Sequence, residues 1–173
     1  YGGQGVISYE ADLFGRARDS YKAASLDADA QNALYKSTLL ALHAGAGRVY
    51  AFEIIHDYAD EVRRQARVGG LEGRVQVVEE ALGKKDGELV SFKNYLQKGK
   101  GVSITLDTFV QKREIQPDVI KIDVQGHEVA VLKGMRETLK THKPKLMVML
   151  YKELLRERGE TKEEGLEIIR EAG

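Results

Sequence analysis

The stretch Pro117-Asp-Val-Ile-Lys-Ile-Asp-Val-Gln-Gly-His-Glu-Val-Ala-Val-Leu-Lys-Gly-Met135 changes its hydrophobic period once, and that change decides the fold. Asp118 to Asp123 is rich in β-branched residues and reads as a buried strand. Gly126 permits a tight turn. From Glu128 to Lys140 the period becomes helical, with Val129, Leu132, Met135 and Leu139 on one face. Asp123 then ends a strand at the carboxyl edge of a sheet. Glu128 opens the next helix, where the N-terminal dipole favours a carboxylate. In open α/β sheets that edge is where ligands bind, so both acids are expected to project into the binding crevice.

The same strand-then-helix rhythm extends in both directions. Arg48 to Glu53, Arg74 to Val78 and Lys145 to Leu150 read as further strands, and Leu34 to His43 and Asp57 to Val68 as helices between them. Alternation of this kind argues for βαβ units and a mostly parallel, doubly wound sheet with helices on both faces. Gly83 to Thr105 departs from the rhythm: Lys84-Lys-Asp-Gly87 is a turn signal, and Val102 to Leu106 is one more strand, so a hairpin-like insertion is expected. Thr161 to Ala172 reads as an amphipathic C-terminal helix. The closing strands of such a sheet are expected after it, so the chain is expected to lack them or to be a shortened form.

A chain of 173 residues suits one domain, read as a lead-in over residues 1–24 and a core over residues 25–173. No apolar run is long enough to span a bilayer and no basic-then-apolar start is present, so a cytoplasmic protein without a membrane partner is expected. Basic and acidic residues both number 27 and are interspersed, which disfavours a nucleic-acid partner. Without cysteine there is no thiolate nucleophile or Cys-ligated zinc. The four histidines, at 43, 56, 127 and 142, make no helical His-x-x-x-His pair, so no metal site is expected. His43 and His142 suit helix C-termini. His127, inside the turn, is a candidate general base for a substrate hydroxyl or a group that orients substrate. No nucleophile elbow or phosphate loop appears.

From Arg48 to Tyr151 the chain resembles the FkbM family of S-adenosylmethionine-dependent methyltransferases. Three pieces carry the likeness: Gly47-Arg-Val-Tyr-Ala-Phe-Glu53, Val77-Val-Glu-Glu-Ala-Leu-Gly-Lys-Lys-Asp-Gly-Glu88, and the opening stretch preceded by Ile104-Thr-Leu-Asp107. The resemblance implies a Rossmann-like domain that methylates a hydroxyl on a sugar or small metabolite, with S-adenosyl-L-methionine as cofactor. It places Glu53, followed by Ile54, at the cofactor ribose. A carboxylate has two acceptor oxygens to match a vicinal diol. A solvated strand end is the other reading of Glu53. The resemblance also puts Glu80 and Ala81 beside the adenine, Asp123 among the residues that bind the cofactor, and Asp123, His127 and Glu128 at the reacting hydroxyl.

The family's Gly-rich turn after the first strand, Asp-x-Gly-Ala-Asn-x-Gly, falls by counting on Asp29-Ala-Gln-Asn-Ala-Leu-Tyr35. Asp29, Gln31 and Ala33 are thereby assigned to the cofactor, but Gln31 and Tyr35 stand where glycine belongs. Two rival functions follow. One is a degenerate methyltransferase fold acting as a non-catalytic binding module. The other is an NAD-dependent oxidoreductase using Glu53 on the nicotinamide cofactor's ribose, against which the missing Gly-x-Gly-x-x-Gly counts.

Overall fold

The computed structural model describes residues 3–9, 46–93 and 98–173. Five parallel strands form the main sheet: β1 (Gly3–Tyr9), β2 (Ala46–Phe52), β3 (Val75–Val78), β7 (Val119–Asp123) and β8 (Lys145–Val148). Their spatial order is β3-β2-β1-β7-β8. A smaller sheet, in the order β4-β6-β5, contains β4 (Ala81–Leu82), β5 (Leu89–Lys93) and β6 (Lys98–Ile104).

Alternation along β2 divides the core. Val49 and Ala51 face one way, into a cluster with Ile55, Tyr58, Val62 and Ala66, the last three carried by α1 (His56–Val68). Tyr50 and Phe52 face the other way, edge-on to Phe109 of α2 (Leu106–Arg113) at ring separations of 5.2 and 4.8 Å. That second cluster also buries Ile120 and Ile122 of β7 and Val129 and Leu132 of α3 (Glu128–Lys133). A sheet coated on both faces satisfies its backbone within the ladders and buries its apolar residues on either side, as parallel sheets require. The fold is a doubly wound, Rossmann-like α/β domain, as the sequence indicates.

Four features differ from the sequence reading. Gly3–Tyr9, placed there in a lead-in, is the central strand, paired with β2 on one side and β7 on the other. Two glycines in its first three residues depress strand propensity, so pairing on both edges, which no local window contains, is what makes the strand.

The helix expected from Glu128 to Lys140 is two helices, α3 and α4 (Arg136–His142). The break falls at Gly134, where a Cβ would lie 2.0 Å from the Gly83 carbonyl oxygen. Asp107 then caps the second helix, its carboxylate accepting from the Thr138 and Glu137 backbone amides at 2.7 and 3.2 Å.

The turn Lys84–Gly87 does not close a hairpin. It carries the chain past β6, which lies between β4 and β5, while the hairpin pair is β5 with β6. Asp86 fastens this turn to the start of α2 by accepting from the Thr105 amide and the Thr108 hydroxyl, each at 2.6 Å. Finally, a short helix, α5 (Lys152–Glu157), precedes the expected C-terminal helix α6 (Lys162–Glu171). The helix expected over Leu34 to His43 lies outside the described residues.

Candidate functional site at the carboxyl edge

The chain builds β1, β2 and β3 outward in one direction and then returns to place β7 on the opposite side of β1. The sheet therefore reverses its winding between β1 and β7, and a crevice forms outside the strand ends at that point. Register aligns Tyr9 with Asp123, and Ser8 with both Phe52 and Ile122, so Glu53 and Asp123 end the two strands flanking β1.

Asp123 is fixed from two directions. Lys121, two residues back on the same strand face, donates to Oδ2 at 3.0 Å, and the Tyr151 hydroxyl donates to Oδ1 at 3.2 Å. Burial first, and then the neighbouring Asp123 carboxylate, raise the Tyr151 pKa, so the phenol keeps its proton and remains a donor. Sequence reasoning missed both partners. The period-2 spacing of Lys121 and Asp123 was a usable signal. Tyr151 follows the neighbouring strand β8 and reaches Asp123 only through the fold.

The turn after Asp123 is tight. Gln125 and Gly126 have φ of 50° and 100°, and a Cβ on Gly126 would lie 2.8 Å from Cβ of Leu154 in α5. Glu128 does not project into the crevice as expected. It is fully buried, and its carboxylate turns back to accept from the Gly126 amide at 2.9 and 3.0 Å and from the Val124 amide at 3.3 Å. Desolvation raises its pKa, with those amides acting in the opposite direction. Glu128 is thus a clamp on the turn, because the amides of a tight, buried turn need an acceptor and find none in a ladder.

His127 also departs from expectation. Burial, then the charge of Arg158, lower its pKa to about 4, far below the range in which a base is efficient near neutral pH. Its Nε2 is enclosed and has no hydrogen-bond partner among the described residues. A role as general base for the hydroxyl is therefore disfavoured.

At the end of β2, Glu53 is 1% exposed, which excludes the solvated strand end. Its Oε1 accepts from the Ile55 amide at 2.8 Å, orienting the carboxylate at the start of α1. Ile54 packs over Gly101 of β6, where an added Cβ would come 2.5 Å from Ile54 Cδ1. At the end of β3, Glu80 is exposed, while the Ala81 side chain is buried within β4. Beside Glu80 lies an exposed ion network: Arg63 pairs with Asp60 at 2.7 Å and with Glu79 at 2.5 Å, and His56 meets Glu79 at 2.8 Å. The hydrogen bond to Glu79 leads the causes that raise the His56 pKa. His56, Asp60 and Glu79 each bring a ligand atom within 4.8 Å of the others. Arg63 pairs with both carboxylates and His56 lies against them as well, so the group reads as a closed surface network. Asp29, Gln31 and Ala33 lie outside the described residues, and β1 ends well before Asp29.

Acidic residues at the ends of β2 and β7 flank a switch point, the place on an open α/β sheet where ligands bind. Residues 27–173 match the family described as the methyltransferase FkbM domain, and the chain belongs to that family. The match begins after β1, so the central strand lies outside it. No curated protein matches the sequence. Among solved structures, the chain is similar to the crystal structure of methyltransferase FkbM from Methylobacillus flagellatus KT, at 17% identity and a TM-score of 0.49. That similarity covers 84% of this chain and 32% of the other, so this chain spans about a third of that protein's length. Among the described residues, no helix is long and apolar enough to cross a membrane.

Proposed function

We propose that this domain methylates a hydroxyl oxygen on a sugar or small metabolite, with S-adenosyl-L-methionine as methyl donor. The observation that carries the reading is Asp123, held at the switch point by Lys121 and Tyr151 with its side chain 15% exposed. The residues suit the cofactor in kind, with the buried carboxylate of Glu53 on one side of the central strand's end and the partly buried carboxylate of Asp123 on the other. Glu53 would hold the ribose diol, with Ile55 fixing the direction of its carboxylate. When bound, the cofactor supplies an electrophilic methyl group on a sulfonium sulfur.

The remaining work is positioning, which the chain's own residues perform. A carboxylate has about four lone-pair sites, so Asp123 retains acceptor capacity beyond its two existing bonds. It accepts the substrate hydroxyl's hydrogen bond, aims the oxygen, and receives the proton as the new bond forms. Glu128 and Gly126 keep the strand end and turn in the shape this requires.

Calorimetric titration with S-adenosylhomocysteine tests the reading. The unmodified chain should bind it, and Glu53→Ala should weaken binding by about 1.5–3 kcal/mol, the range for a hydrogen bond to a charged group. Asp123→Asn should preserve cofactor binding and the melting midpoint while methyl transfer is lost. Binding of NAD in place of S-adenosylhomocysteine would replace the reading with the oxidoreductase. Binding of neither would withdraw the catalytic reading and leave the fold.

A further inference from the structure

A cavity of about 310 Å³ lies between the turn after β7, the end of α5 and the β4–β5 connection. Four charged side chains line it: Lys84, Glu88, Arg158 and Glu160. Three have partners. Glu160 accepts from Lys133 at 3.1 Å, and Lys84 faces Glu88 at 3.8 Å. Arg158 pairs with no carboxylate among the described residues. It caps the C-terminal end of α5, where Gly159, with φ of 72°, turns the chain away. His127 lines the same cavity, and its enclosed Nε2 lacks a partner among the described residues. Leu89, 60% exposed, adds an apolar wall.

We infer that this cavity receives a carboxylate or phosphate group carried by the methyl acceptor, with Arg158 and His127 as its recognition residues. The inference rests on the methyltransferase reading for the word acceptor, though not for the anion. A guanidinium presents a planar fork of donors that matches either oxyanion. A neutral imidazole offers one N–H donor, so an oxygen reaching Nε2 supplies the partner that the enclosed atom lacks. An anion between the two also offsets the Arg158 charge, one of the causes that depress the His127 pKa. Lys84, Glu88 and Glu160 are the other charged groups facing the site, and the first two approach only to 3.8 Å. Binding should therefore draw a proton onto His127 and tighten as pH falls toward the His127 range.

The test is an NMR titration of the imidazole resonances with inorganic phosphate and, separately, acetate, His127 being assigned by its loss in His127→Gln. Phosphate should bind and raise the His127 pKa; tighter binding of acetate would identify a carboxylate as the ligand group. Arg158→Gln should weaken binding by roughly tenfold or more, as loss of one charge-assisted hydrogen bond implies, whereas Arg158→Lys should retain part of it. Arg156→Gln, an exposed neighbour, should leave it unchanged. Wild-type affinity in Arg158→Gln, or a His127 pKa unmoved at saturating phosphate, overturns the assignment. S-adenosylhomocysteine titration of the same samples separates the two readings. Phosphate binding through Arg158 without cofactor binding keeps the anion site and removes methyl transfer. The converse result removes only the anion site.

Discussion

Two turns at the carboxyl edge of the sheet use the same residue type in opposite ways. After β7, Glu128 is fully buried and spends both oxygens on backbone amides of its own turn. After β3, Glu79 lies at the surface and pairs with His56 and Arg63, the imidazole being 70% exposed. The two glutamates have similarly good hydrogen bonds, yet their energetic weight differs because only the buried one leaves donors with no access to water when it is removed. Short contacts alone would rank them equally.

The largest effect expected from this contrast is that of Glu128→Ala. Removing the acceptor strands the buried Val124 and Gly126 amides, at about 1–3 kcal/mol for each orphaned donor. Denaturant unfolding should show a loss of that order, and Glu128→Gln should recover part of it by restoring an acceptor. A loss no larger than that of a surface substitution would erase the distinction between the turns.

Gly126→Ala should come next, at about 1–3 kcal/mol, because φ is 100° there and the new Cβ would press on Leu154. Melting together with phosphate and S-adenosylhomocysteine titrations would show whether the distorted turn disturbs one ligand site or both.

A pH dependence sharpens the contrast. His127 has a folded pKa of about 4 against an ordinary 6.5, so between those values the unfolded chain binds more protons than the folded one. Stability from this group is therefore complete above about pH 6.5 and is lost as pH falls toward 4. His127→Asn should flatten that limb of a melting-point profile. His56 is shifted the other way, its pKa being raised, so its contribution is present at low pH and lost as pH rises through the folded value. His56→Asn should leave the acid limb in place.

The smallest effect belongs to Glu79→Gln, which should change stability by no more than about 0.5 kcal/mol and less still at high salt, as exposed pairs are screened. A change comparable with that of Glu128→Ala would mean that the surface network carries weight its exposure does not suggest.

The strands from Arg48 to Glu53, Arg74 to Val78 and Asp118 to Asp123, and the turn with Gly126, were legible because each is a local pattern. The chemical type of the site was legible as well, since an acid at a strand end is read from one short window. Glu53 and Asp123 come from such windows. What a window does not contain is the partner. Tyr151 reaches Asp123 from beyond the end of β8, and Gly134 breaks its helix where Gly83 passes close by.

By itself, then, the sequence determined the α/β alternation and the acids at the strand ends, because hydrophobic period and turn chemistry are properties of neighbouring residues. Only the tertiary structure made Gly3–Tyr9 the central strand, turned Glu128 from the crevice into the turn, and enclosed His127 next to Arg158. Those outcomes depend on pairing partners and on exclusion of water, and both arise only when distant segments pack together.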